Sequence, residues 1–190
     1  MSAHGGYLLR PEGLQSLDLA ELAREALAQE GEDPQDAAIQ VSVLRRPGVL
    51  RVAYDAPFSY GRRGARWYRD HHAFARLASE RLSSTAHVYA IDADTFETVC
   101  SYAGGRKVGG ELLVYDDLEM DFGDVNGLDV TDFEQMRARW PIGHLGQIFG
   151  VTRDQLLHLP WNESVLLKLV ADPSSESDGE RERLTALIQP

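Results

Sequence analysis

Cysteine and lysine are almost missing from this chain of 190 residues. Its one cysteine, Cys100, rules out an internal disulfide. Set among apolar neighbours in "FETVCSYA", it reads as a small buried hydrophobe rather than a reactive thiol. Lys107 and Lys168 are the only lysines, so the other seventeen basic residues are arginines. GC-rich codon usage produces that bias, and a bacterial source is expected. No stretch approaches the roughly 18 consecutive apolar residues of a membrane-spanning helix. The opening "MSAHGGYLLRPEG" has no basic stretch followed by an apolar run, so no secretion signal and a cytoplasmic location are expected. Catalytic signatures are missing as well: no Gly-x-Ser-x-Gly elbow, no supported cysteine–histidine pair and no dinucleotide fingerprint. Positive charge is in deficit, with 30 acids against 19 bases and a net charge of −11. That balance argues against non-specific binding to DNA or anionic membranes, and leaves a basic protein partner open.

What is present suffices for a core: 43% of the residues are hydrophobic and 26% charged, in a length that fits one domain. "SLDLAELAREALAQEG" places Leu19, Leu22, Ala23, Ala26 and Leu27 on one helical face, with Asp18 and Glu21 as a capping box. "AIQVSVL" and "VLRVAY" read as two strands joined at Pro47-Gly48. "RWYRDHHAFARLASERL" carries a core-facing helical stripe of Trp67, His71, Phe74, Ala78 and Leu82, and "TAHVYAID" is another strand. With a first strand marked only by Tyr7, Leu8 and Leu9, the order is strand, helix, strand, strand, helix, strand. The expectation is an α+β fold, an antiparallel sheet with helices on one face in the split β-α-β order of ferredoxin-like domains. A hairpin turning at Gly104-Gly105 extends it, with a bulge at Gly109-Gly110. Short helices are expected in "TDFEQMRARW", "IGHLGQIFG" and "TRDQLLHLP". "SVLLKLVA" is a strand or a buried turn of helix. Residues 1–118 are expected to form the core and 119–171 an acidic segment with a helical appendage packed on it. Residues 172–190 are expected to form a polar tail, with "DPSSESDGERER" as solvated linker.

Two charged clusters are candidate sites. Tyr60–His72, "YGRRGARWYRDHH", holds four arginines before and within the first turn of a helix. Unpaired backbone N–H groups and guanidinium forks there suit a phosphate or carboxylate. Arg62, Arg63 and Arg66 are the candidate anion ligands, with Tyr60 and Trp67 as stacking surfaces. The same arginines can instead pair with the chain's own acids. His71 and His72 are adjacent, point about 100° apart on a helix and make no metal pair; no metal or cofactor is expected.

Asp116–Glu134 holds eight acids and no base. Measured against a calcium loop, Asp117, Glu119 and Asp121 fit the first ligand positions. Phe122 then stands where glycine is required and Leu128 where the closing acid belongs, so the segment is not an EF-hand. In extended form Asp117, Glu119 and Asp121 share one face, and with Asp116 and Asp124 they are the candidate contacts for a basic partner. "LGQIFGVTRDQLLHL" has the rhythm of a helix-turn-helix, but its second helix carries Asp154 and buries its leucines, so it reads as two packed helices. The expected function is therefore a non-enzymatic interaction module of the bacterial inhibitor, immunity or regulatory type, presenting an acidic surface to a basic protein. The alternative is a small-molecule anion-binding protein or enzyme that uses the loop at 60–72.

Overall fold

Alternating apolar residues build one antiparallel sheet. The computed structural model describes residues 3–10, 16–45, 48–92, 95–114, 141–157, 164–170 and 178–188. Its strands are β1 (Ala3–Leu9), β2 (Ala38–Arg45), β3 (Val49–Asp55), β4 (Ala86–Asp92), β5 (Phe96–Ala103), β6 (Arg106–Val114) and β7 (Ser164–Lys168). They lie in the order β6-β5-β4-β1-β3-β2-β7, each neighbouring pair antiparallel. The ambiguous "SVLLK" is thus a strand, paired with β2. Gly104 and Gly105 take φ of 55° and 73° to turn the β5–β6 hairpin, and its register slips beside Gly109, where Val108 is the extra residue.

The two faces of the sheet are covered differently. On one face lie α1 (Ser16–Glu30), α2 (Gly61–Asp70) and α3 (Ala73–Arg81). Tyr7, Leu9, Ile39, Val41, Leu50, Val52 and Val88 meet Leu19, Leu22, Leu27, Phe74 and Leu77 there in one apolar core. Each such side chain contributes roughly 1.5–3 kcal/mol by leaving water. On the other face, Leu8, Val49, Tyr89 and Ile91 meet Ile142, Leu145 and Phe149 of α4 (Pro141–Phe149) and Leu156 of α5 (Arg153–Leu157). The helix-turn-helix rhythm is therefore two short helices packed on a sheet. A last helix, α6 (Asp178–Ile188), buries Leu184 in the first core; the second half of the expected linker is helical because this leucine anchors it.

β1 carries the weakest strand signal in the sequence yet occupies the centre of the sheet. Its glycines explain both facts. A Cβ on Gly5 would stand 2.2 Å from the Tyr68 ring, so only glycine lets α2 lie this close to the strand. Buried tyrosines then tie the layers together. The Tyr68 hydroxyl accepts from Tyr54 N at 2.7 Å, and the Tyr54 hydroxyl donates to Ala23 O at 3.2 Å. Burial raises the pKa of Tyr7, Tyr54 and Tyr68 well above the ordinary phenol value.

The helix expected to run through His71 and His72 is broken there into α2 and α3. Both imidazoles turn back onto the end of α2. His71 Nδ1 lies 3.0 Å from Trp67 O, and His72 Nε2 lies 2.8 Å from Arg69 O. Trp67 O also accepts from His71 N at 2.8 Å, whereas Arg69 O, one of the last carbonyls of the helix, meets the His72 ring. Because Arg69 O can only accept, His72 Nε2 carries the proton and Nδ1 accepts from the Tyr102 hydroxyl at 2.9 Å.

Candidate functional site: a cleft between two charged walls

The arginine-rich segment is itself helical. Gly61, at φ +58°, opens α2, and the chain folds so tightly that a Cβ on Gly64 would sit 2.0 Å from Ser59 O. Arg62 and Arg63 therefore diverge by about 100° around the helix axis. Arg62 reaches within 3.9 Å of Asp92, which is almost fully buried. Arg69 forms a two-pronged contact with Asp70, Nε to Oδ1 at 2.9 Å and Nη2 to Oδ2 at 3.1 Å. That hydrogen-bonded guanidinium holds the Asp70 carboxyl below its usual pKa. Tyr60 is 59% exposed and its hydroxyl donates to Asp55.

Arg63 and Arg66 remain, one turn apart, and both line an open cleft of about 590 Å³ with Trp67. Among the described residues neither has an ion-pair or hydrogen-bond partner. The structure thus brings Arg63, Arg66 and Trp67 together and places Arg62 and Tyr60 elsewhere. The cleft floor is aromatic. Trp67 packs 4.6 Å from Phe58 and stacks on His71 at 4.9 Å with ring planes 8° apart. Trp67 is 7% exposed, and its indole Nε1 is buried without an acceptor.

The cleft also has an acidic side. Glu32, Asp33 and Asp36, from the turn between α1 and β2, line the same cleft. All three are exposed and none has a cationic partner among the described residues. Asp33 Oδ1 accepts from Gln35 N at 2.9 Å and so fixes the short 3₁₀ turn Pro34–Asp36. In the sequence, "GEDPQD" announces a turn; nothing in it announces proximity to residues 63–67.

The candidate partner contacts Asp116, Asp117, Glu119, Asp121 and Asp124 lie outside the described residues, as does the helix expected in "TDFEQMRARW". Among the described residues no three His, Cys, Asp or Glu side chains gather as a metal site, and no helix is long and apolar enough to cross a membrane. Cys100 is buried.

The second face holds polar groups of its own. Arg51, 4% exposed, donates from Nε to the Tyr89 hydroxyl at 2.5 Å and from Nη2 to Gly5 O at 2.6 Å. Its Nη1 has no partner. His87 Nδ1 lies 2.8 Å from Ser101 Oγ, and the ring meets Phe149 edge-on at 5.1 Å. Burial, with help from Arg10, lowers the His87 pKa to about 4, so this imidazole is neutral near pH 7 and too weak a base to activate the serine.

No protein-family model, curated protein or solved structure matches this chain.

Proposed function

We propose that the protein is a non-enzymatic interaction module, of the inhibitor, immunity or regulatory type, that presents an acidic surface to a basic protein partner. The observation that carries this reading is the exposed trio Glu32, Asp33 and Asp36, none of which forms an ion pair among the described residues, in a chain of net charge −11. Like charges held together without a cation repel one another, and a basic partner relieves that repulsion while speeding encounter. The acids of Asp116–Asp124 extend the same sign of charge along the sequence. Native mass spectrometry of the protein, purified at low salt from its own source, tests the proposal. The expected result is a complex with a basic polypeptide, weakened in an Asp117→Asn, Glu119→Gln, Asp121→Asn variant and in a Glu32→Gln, Asp33→Asn, Asp36→Asn variant. A bare monomer, or a complex indifferent to both triple variants, overturns it.

A second reading, binding of a small anion, is favoured by the two unpaired guanidinium groups of Arg63 and Arg66 over one aromatic floor. It expects thermal stabilisation by phosphorylated or carboxylated small molecules, lost in Arg66→Ala.

A further inference from the structure

The cleft is not merely cationic or merely acidic. Arg63 and Arg66 line it from α2, with Asp70 one turn further on, Glu32, Asp33 and Asp36 line it from the turn before β2, and among the described residues no ion pair joins the two groups. Flexible exposed side chains of opposite sign usually meet when the backbone permits. Here no such pair forms among the described residues, and both backbones are anchored. α2 is fixed to the sheet by the Tyr68–Tyr54 hydrogen bond and by its close approach to Gly5. The acidic turn is fixed by its Asp33 cap and by Ala37 N donating to Pro34 O at 3.2 Å, immediately before β2 begins. Each wall also repels itself: arginines three apart on a helix are neighbours, and three carboxylates share five residues of chain. The lining is apolar where Phe58 and Trp67 are in contact. An aromatic floor with preformed, separated charges of both signs is a site for a ligand that carries both signs on an apolar body.

We infer that the cleft binds a small zwitterion, a free peptide of two or three residues. Its carboxylate lies between Arg63 and Arg66, its ammonium among Glu32, Asp33 and Asp36, and its side chain on Phe58 and Trp67. The volume of about 590 Å³ falls within the 300–1,000 Å³ typical of small-molecule pockets. Paired guanidinium groups suit a carboxylate because they donate along its two oxygens. The ammonium, with three donors and no acceptor, suits a wall of carboxylates. This inference rests on the anion-binding reading for the role of Arg63 and Arg66, and adds the acidic wall as an equal partner. It shares Glu32, Asp33 and Asp36 with the protein-partner reading, and the titration separates the two because that reading expects no dependence on a peptide's carboxylate.

Isothermal titration of the full chain with Ala-Phe-Ala and Phe-Ala tests it, each peptide also prepared in N-acetylated and C-amidated form, with inorganic phosphate as a further arm. The expected result is binding of the peptides with both ends free, weakened roughly tenfold or more by capping either end, because each cap removes one charge-assisted contact. Arg63→Gln with Arg66→Gln should abolish sensitivity to the C-terminal amide. Glu32→Gln with Asp36→Asn should abolish sensitivity to the acetyl cap. All four positions are on the surface, so the variants keep the fold. Equal binding of acetylated and free peptides, or phosphate matching them, overturns the zwitterion and leaves an anion site. Equal binding of the amide overturns it in favour of a cation site. No binding of any peptide overturns it too, and if phosphate also fails to bind, the anion reading falls with it.

Discussion

His87 enters the interior as a neutral imidazole, between Ser101 on the neighbouring strand and the ring of Phe149. Its folded pKa, about 4, lies below the ordinary 6.5, so the unfolded chain takes up a proton that the folded chain refuses. The stabilisation from this group is therefore whole above about pH 6.5 and is lost as the pH falls towards about 4. It amounts to about 3 kcal/mol at most. His72, whose pKa is lowered chiefly by burial, acts in the same direction. Urea midpoints measured from pH 7 to pH 4.5 should fall less steeply in His87→Gln, which keeps a polar group for Ser101 but does not titrate there. A variant with the wild-type slope would assign the pH dependence to other groups. A neighbouring residue carries a different load. The Tyr89 hydroxyl accepts from Arg51 and donates to Leu156 O at 2.5 Å. Tyr89→Phe leaves both groups buried and unmet, and should cost about 1–3 kcal/mol by chemical denaturation.

Among the elements, α5 is held to the sheet by a buried ion pair, whereas the ion pairs that join α1 and α3 lie at the surface. Glu97 of β5, with 0% exposure, accepts from Ile142 N at 3.3 Å and pairs with Arg153. Gln155 Nε2 donates to Leu44 O at 3.3 Å. A buried carboxylate tolerates burial only with its cation in place, and removal of one partner costs about 3–5 kcal/mol. Arg153→Met should therefore loosen this layer first. Hydrogen exchange is expected to quicken in α4 and α5 while α1 and α3 keep their protection, and Glu97→Gln in the same chain should restore part of the loss. Uniform loss of protection would show that the two layers open as one unit. Sequence pattern marks strands by side chains, whereas β1 is central because Gly5 has none and admits the Tyr68 ring.

For the molecule as a whole, four of the seventeen arginines pair with the chain's own acids among the described residues, in Arg62–Asp92, Arg69–Asp70, Arg81 with Glu21 and Glu25, and Arg153–Glu97. What remains outside is the acidic surplus of a chain at −11. Self-repulsion of that surplus weakens as salt shortens the screening length from about 30 Å at 0.01 M to about 10 Å at 0.1 M. The urea midpoint should accordingly rise with added sodium chloride, while association with a basic partner slows. A midpoint that falls with salt would mean that the internal ion pairs, rather than the surface surplus, dominate the electrostatic balance.

Composition and local pattern alone determined the α+β class, the antiparallel strands of β2 to β5, the Gly104-Gly105 hairpin and the pair of short helices at α4 and α5. Each of these is encoded within a dozen residues, by alternation, by helical spacing or by turn chemistry. The cleft was only half legible. The arginines stood out because they are clustered, but their division was not, since the start of α2 at Gly61 depends on how its first turn packs against Ser59. The break at His71–His72 was hidden for a related reason: imidazoles that return to the carbonyls of Trp67 and Arg69 leave the apolar spacing unchanged. Glu32, Asp33 and Asp36 lie about thirty residues before the arginines, and the two groups line one cleft only because the start of β2 and the end of β3 lie side by side. Opposite charges that stay apart are a property of two backbones held in place, and a linear pattern has no term for that distance.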